Sequence, residues 1–153
     1  MAISKSIEEF FIAHPLHHET LAHAHSVSSL SSANTAHIPG GSVAKAVLLK
    51  AEDSYLLAVL PATSRLHLGH LHHLFNRHVG LATEEEVAEV FADCETGAIP
   101  PTGLLYDIDT VVDDALLDQN EIYFEAGDHE HLIHMGRKEF GKMMGDATHL
   151  QLS

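Results

Sequence analysis

Val43-Ala44-Lys45-Ala46-Val47-Leu48-Leu49, Glu52-Asp53-Ser54 and Tyr55-Leu56-Leu57-Ala58-Val59-Leu60 form the passage that settles the architecture. Two short apolar runs flank three turn-forming residues, the pattern of two strands joined in a hairpin. Pro61 stops the second run. Downstream, Leu68, Leu71, Leu74 and Phe75 recur at helical spacing. Thr83-Glu84-Glu85-Glu86 has the spacing of a capping box, and Val87, Val90 and Phe91 give that helix an apolar face. Short strands are expected near 104–106 and 110–112, with a helical turn at Asp113-Asp114. Residues 122–125 and 131–135 read as a strand pair around Gly127. A helix over 137–144 and a strand over 148–152 follow. Upstream, Ser6-Ile7-Glu8-Glu9 starts a helix reaching about Ala13, and a small helix is expected over 27–34, before Pro39-Gly40-Gly41 breaks the chain. Strands come mostly in adjacent pairs with helices between the pairs. That predicts one α+β domain over 1–153 with a mixed or antiparallel sheet, not a doubly wound one.

The chain has 153 residues, 45% hydrophobic and 20% charged, which excludes a disordered chain and a coiled coil. No apolar run approaches the ~20 residues of a membrane span. Glu8 and Glu9 interrupt the stretch where a signal peptide would need an apolar region. The single cysteine, Cys94, excludes an internal disulfide and fits a reducing cytoplasm. Twenty-two acids stand against 8 bases, a formal net charge of -14. That field disfavours indiscriminate binding to DNA or other phosphate backbones. The 15 histidines offset much of it below roughly pH 6.5.

Three features carry chemistry. Lys45 sits where both strand faces are apolar, Val43, Val47 and Leu49 on one and Ala44, Ala46 and Leu48 on the other. A buried ammonium is costly, so it either serves a function or packs its stem while the head reaches water. Gly97-Ala98-Ile99-Pro100-Pro101-Thr102-Gly103 forces an irregular loop. Its N–H groups either form an anion- or carbonyl-binding cradle or simply make a rigid turn. His67, His70, His72, His73 and His78 crowd one helical region, and His67 and His70 have the spacing of two metal ligands. No third ligand, H-E-x-x-H or cysteine pair closes such a site, so no metal and no cofactor is expected. His129, His131 and His134 are equally open. Cys94, between Asp93 and Glu95, is expected to be inert, and no nucleophile motif is present.

The order Val43 to Lys50, Val59-Leu60-Pro61-Ala62 and Gly97 to Gly103, ending in 122–124, Gly127 and 131–135, resembles the YbaK family. These are aminoacyl-tRNA deacylases related to the editing insertion of bacterial prolyl-tRNA synthetase. The likeness spans about residues 17–150. It implies a mixed fold around a curved, partly closed sheet, and hydrolysis of the ester joining a wrong amino acid to the tRNA 3′ end. It matches Lys45 to a strand lysine that holds the terminal adenosine and the ester. It matches Gly97 to Pro101 to a G-x-x-x-P loop in which the Gly97 and Ala98 amides serve catalysis. Ile99, Pro100, Pro101 and Gly103 then line the substrate, and His131 falls on a pocket position. Water is the implied nucleophile, aided by a substrate hydroxyl. The implied partners are the acceptor end of aminoacyl-tRNA and an aminoacyl-tRNA synthetase. Lys50, Arg65, Arg137, Lys138 and Lys142 are the remaining phosphate candidates. Ala46 departs from the Thr or Asn that the family often has after the lysine, which leaves the amino acid open. The competing reading is a non-catalytic module of the same fold that binds an aminoacyl or nucleotide ligand.

Overall fold

A computed structural model describes residues 3–152 apart from 27, 96, 102 and 146. The elements are α1 (Lys5–Ala13), β1 (Glu19–Ala22), α2 (Ser29–Thr35), β2 (Val43–Ala51), β3 (Ser54–Pro61), α3 (Leu68–Phe75), β4 (Gly80–Leu81) and α4 (Glu84–Val90). They continue as β5 (Asp109–Asp113), α5 (Asp114–Leu117), β6 (Glu121–Glu125), β7 (His131–Gly136), α6 (Arg137–Met144) and β8 (Thr148–Leu150).

The hairpin β2–β3 is the centre of one mixed sheet. Its register pairs Lys45 with Leu60 and Ala51 with Ser54. The strand order is β1-β7-β6-β2-β3-β5-β8, and β4 pairs with β2 beside this path. β6 lies parallel to β2, and β5 parallel to β3. The two strands that the hairpin recruits therefore come from the last third of the chain. The sheet stays open: its path ends at β1 and β8 and does not close into a barrel.

Side-chain alternation sends the hairpin's residues into separate apolar clusters. Ala44, Leu48, Leu57 and Val59 join Ile122, Phe124, Ile133, Met135 and Phe140 on one face. Leu49, Ala58 and Leu60 join Leu71 and Val79 on the other. At the start of β2 that second face is capped by α2, where Ala33 packs on Val43, Ala62 and Tyr123.

Local signals place several boundaries. The Thr83 hydroxyl accepts from Glu86 N–H while the Glu86 carboxylate accepts from Thr83 N–H, the capping box the sequence predicts. The first helix is instead capped two residues earlier, by Ser4, whose hydroxyl accepts from Ile7 N–H. Residues 103–106 form a 3-10 turn, not the expected strand. Gly103 explains this: a side chain there would collide with the Ile108 carbonyl, so the chain folds back tightly on itself. The last strand stops at Leu150, and Leu152 is fully buried beyond it.

Candidate functional site

Lys45 shares its face of β2 with Val43, Val47 and Leu49. Its stem packs and its head reaches the end of β3, where Nζ donates to the Ser64 carbonyl oxygen at 2.5 Å. Burial, followed by the neighbouring Arg65 charge, lowers the pKa of this amine. Among the described residues no carboxylate pairs with it. Lys45 is therefore a half-buried, partly dehydrated cation held by one backbone carbonyl.

The loop after α4 is tied down from two sides. Glu95 N–H donates to the Gly127 carbonyl at 2.8 Å, and Ala98 N–H to the Glu95 carbonyl at 3.0 Å. Gly97 has φ of 82°, a left-handed conformation natural to glycine. Ala98, Ile99, Pro100, Pro101 and Gly103 are all buried, and Ile99 packs in the cluster of Ala44, Leu48 and Phe124. Thr102 lies outside the described residues. The Ala98 amide is thus already engaged inside the turn.

The strand pair β6–β7 links these parts. Ala44 pairs with Phe124, so Lys45 stands one residue past the point where β2 meets the end of β6. The turn that follows β6 is the one gripped by Glu95. Lys45 and the loop accordingly lie at one end of the sheet. They approach it from opposite faces of β2, because Ile99 packs with Ala44 while Lys45 points with Val43.

That turn, Glu125-Ala126-Gly127-Asp128-His129-Glu130-His131, holds two acids, Glu125 and Asp128, that the sequence did not single out beside His129 and His131. Asp128 accepts the N–H groups of Glu130 and His131 at 3.0 Å each, and its other oxygen lies 2.6 Å from His131 Nδ1. Burial pushes the Asp128 carboxyl up, but these bonds and His131 outweigh it and lower its pKa. His131 is thereby fixed on β7 opposite Ala22. Glu125, 1% exposed, is pushed up to about 7 by burial, with the Asp128 and Glu95 charges adding and the Ser32 hydroxyl opposing. His129 Nδ1 stands 3.6 Å from its carboxylate. Nearby, Ser26 and Ser32 join hydroxyls at 2.6 Å, and His25 Nε2 meets Glu95 at 3.2 Å. Two acids astride Ala126-Gly127 at the end of an apolar strand were the available signal.

Other candidates separate from this site. His67 caps α3, its Nδ1 accepting from His70 N–H at 2.9 Å, so one ring nitrogen is already committed. Among the described residues no group of three or more His, Cys, Asp or Glu has metal-binding geometry. Cys94 is pushed up to about 11, chiefly by burial rather than by its acidic neighbours. A groove of about 760 Å³ lies elsewhere, between Phe10, Phe75, Arg77, Asp109, Lys142 and Met144. No helix of the described residues is long and apolar enough to cross a membrane.

Comparison with solved structures places this arrangement among known folds. A candidate trans-editing enzyme for prolyl tRNA synthetase superposes with a TM-score of 0.83 at 23% identity, over 99% of this chain and 99% of that one. A hypothetical protein superposes at 0.85 with 23% identity, over 97% and 99%. A chain described as a signal transduction protein from Marinobacter aquaeolei matches at 0.69 with 19% identity, over 87% of this chain and 27% of its own. No curated protein matches the chain. The family model of the aminoacyl-tRNA editing domain matches residues 22–142, which takes in β2 with Lys45, the glycine–proline loop and the β6–β7 turn. The chain belongs to the family of aminoacyl-tRNA editing domains.

Proposed function

We propose that this chain is a free-standing editing hydrolase that deacylates mischarged aminoacyl-tRNA, cleaving the ester at the tRNA 3′ end. The observation that carries the reading is Lys45. A dehydrated ammonium beside the Ser64 carbonyl, at the sheet end where the glycine–proline loop is anchored, suits an anionic or carbonyl-rich ligand. In this reading the 3′ end lies across the end of the sheet, so that Lys45, leaving one face of β2, holds the terminal adenosine and the ester while the loop reaches the ester from the other face. The Gly97 and Ile99 amides are the donors for the developing oxyanion, since Ala98 N–H already serves the turn. Pro100, Pro101 and Gly103 fix the loop. His131, oriented by Asp128, borders the acyl group. Water is the nucleophile; an activated ester needs placed donors more than a strong protein base. The same reading makes aminoacyl-tRNA the partner, with a synthetase as a second, and the cytoplasm the place of action.

A panel of tRNAs mischarged with Ala, Ser, Thr and Cys tests it. Release of one amino acid well above the spontaneous rate is expected. A protein that binds charged tRNA and releases nothing is the non-catalytic binding module of the same fold.

A further inference from the structure

From Ser54 to Thr83 the chain contains no Asp or Glu, although it carries 22 of them in all. Within that stretch, Arg65, His67, His70, His72, His73, Arg77 and His78 follow one another over β3's exit, α3 and the turn behind it. Arg65, His67, His73, Arg77 and His78 are exposed. The buried side of this segment is apolar: Leu71 packs with Leu49, Leu60 and Val79. The segment starts at the candidate site, because Ser64 accepts the Lys45 ammonium and Arg65 is close enough to lower its pKa.

The other cations are largely committed. Lys50 pairs with Glu86 at 2.7 Å and Lys142 with Glu139 at 3.6 Å. Arg137 donates to the carbonyls of Asp118 and Gln119 and to Asn120. Among the described residues no carboxylate forms an ion pair with Arg65, Arg77, the four histidines between them or His78. Asp109, across the groove from Arg77, is the carboxylate that shares its surroundings, and Lys142 and His14 line the same groove.

We infer that residues 65–78 are the surface on which this protein carries the phosphate backbone of an RNA acceptor stem. This rests on the editing reading for the position of the 3′ end at Lys45. The chemistry is that of phosphodiester recognition. Arginine gives bidentate donors, and an imidazole N–H donates to a phosphate oxygen whether or not the ring is charged. An acid-free strip is required, because in a chain of net charge -14 any interspersed carboxylate would cancel the few cations present. α3, with 8 residues, extends the strip by about 12 Å from the site.

The test compares two variants of equal net charge, Arg65→Gln/Arg77→Gln and Lys5→Glu. All three side chains are exposed, and thermal unfolding confirms that both variants fold. Binding of uncharged tRNA is measured over a salt series. The arginine variant should bind roughly 10- to 50-fold more weakly at low salt, with the slope of log affinity against log salt reduced by about 1.4–1.8, two phosphate contacts. The lysine variant should change affinity less than about 2-fold. A second variant, His73→Glu/His78→Glu, puts carboxylates on the strip and should weaken binding further than His73→Gln/His78→Gln. Equal losses in the arginine and lysine variants, or an unchanged slope in the arginine variant, would overturn the assignment. Hydrolysis of an aminoacyl ester of adenosine separates the two readings. Wild-type binding with the expected slope but no hydrolysis removes the editing activity and keeps the RNA surface. Hydrolysis with unaltered RNA binding in the arginine variant does the reverse.

Discussion

The Lys45 ammonium is bonded to the carbonyl of Ser64, so the strand lysine also fastens the segment that leaves β3. Lys45→Ala removes one hydrogen bond to a half-buried carbonyl that water can reach, and relieves a dehydrated charge. Stability should change by less than ~1 kcal/mol. If the lysine holds the ester, deacylation should fall by a factor of ten to several hundred, about 1.4–3.5 kcal/mol of transition-state stabilisation. Unfolding and deacylation measured on one preparation decide between outcomes; a folded variant with full activity removes Lys45 from the mechanism.

Glu125 makes stability depend on pH in a defined direction. Its carboxyl moves from the ordinary 4.5 to about 7 on folding, so the folded state binds the proton more tightly. That contribution is fully present below pH 4.5 and is lost as the pH rises through 7. The buried anion then costs roughly 3 kcal/mol. Glu125→Gln should be more stable than wild type at pH 8 by ~1–3 kcal/mol and no more stable at pH 4. Urea unfolding at the two pH values checks this, and a variant less stable at pH 8 would reveal a cation serving the carboxylate.

Asp93 behaves oppositely. Burial alone would push it up, but bonds from Ser4 Oγ at 2.7 Å, Ser6 N–H at 2.9 Å and Tyr106 OH at 2.8 Å hold it well below the usual carboxylate range. Its support is complete above that range and is lost only as the pH falls beneath it. Asp93→Asn puts an amide donor against these donors and should cost ~1–3 kcal/mol at neutral pH. The acid limb of the stability curve should flatten as well. A neutral-pH loss below the error of a urea titration would show that the network is dispensable.

Gly127 is fixed by both conformation and space. Its φ is 100°, and a Cβ would sit 2.6 Å from Ser4 Cβ. Gly127→Ala should destabilise by more than ~2 kcal/mol, since strain and collision add. It should also loosen the 95–103 loop, because Glu95 N–H is held by the Gly127 carbonyl. Protease sensitivity at 95–103 that matches wild type would contradict the anchoring role.

Where sequence and structure agree, one local force decided the outcome. The 43–61 hairpin followed from two apolar runs and a turn, and α3 from its leucine spacing, with the bounds 68–75 as expected. Where they part, a distant group decided. The 3-10 turn at 103–106 depends on how closely the Ile108 carbonyl and the Thr110 hydroxyl fold back on Gly103, a backbone approach that the residue types alone do not reveal. Ser4 displaced Ser6 as the helix cap because Asp93, far along the chain, binds both. Lys45 was visible as an oddity on an apolar strand. Its carbonyl partner was not, since backbone acceptors leave no mark in a sequence. Glu125 carries no such mark, because the Ser32 hydroxyl that faces it comes from α2, far upstream in the chain.

The parallel placement of β5 and β6 on either side of the central hairpin has a consequence for synthesis. As the chain emerges, residues 43–61 can pair with each other at once, yet the strand edges they expose wait for residues 109–125. The apolar face behind β3 waits longer, until Leu152 arrives to cover it. Until residues 109–125 emerge, the hairpin keeps unpaired strand edges, with Leu71 of α3 and Val79 packed on one face and the brief β4 beside β2. Sheets assembled from such distant segments nucleate slowly and are open to intermolecular pairing meanwhile. Slowing translation between residues 61 and 109 should lower the soluble yield of this protein, whereas slowing it after residue 125 should matter less.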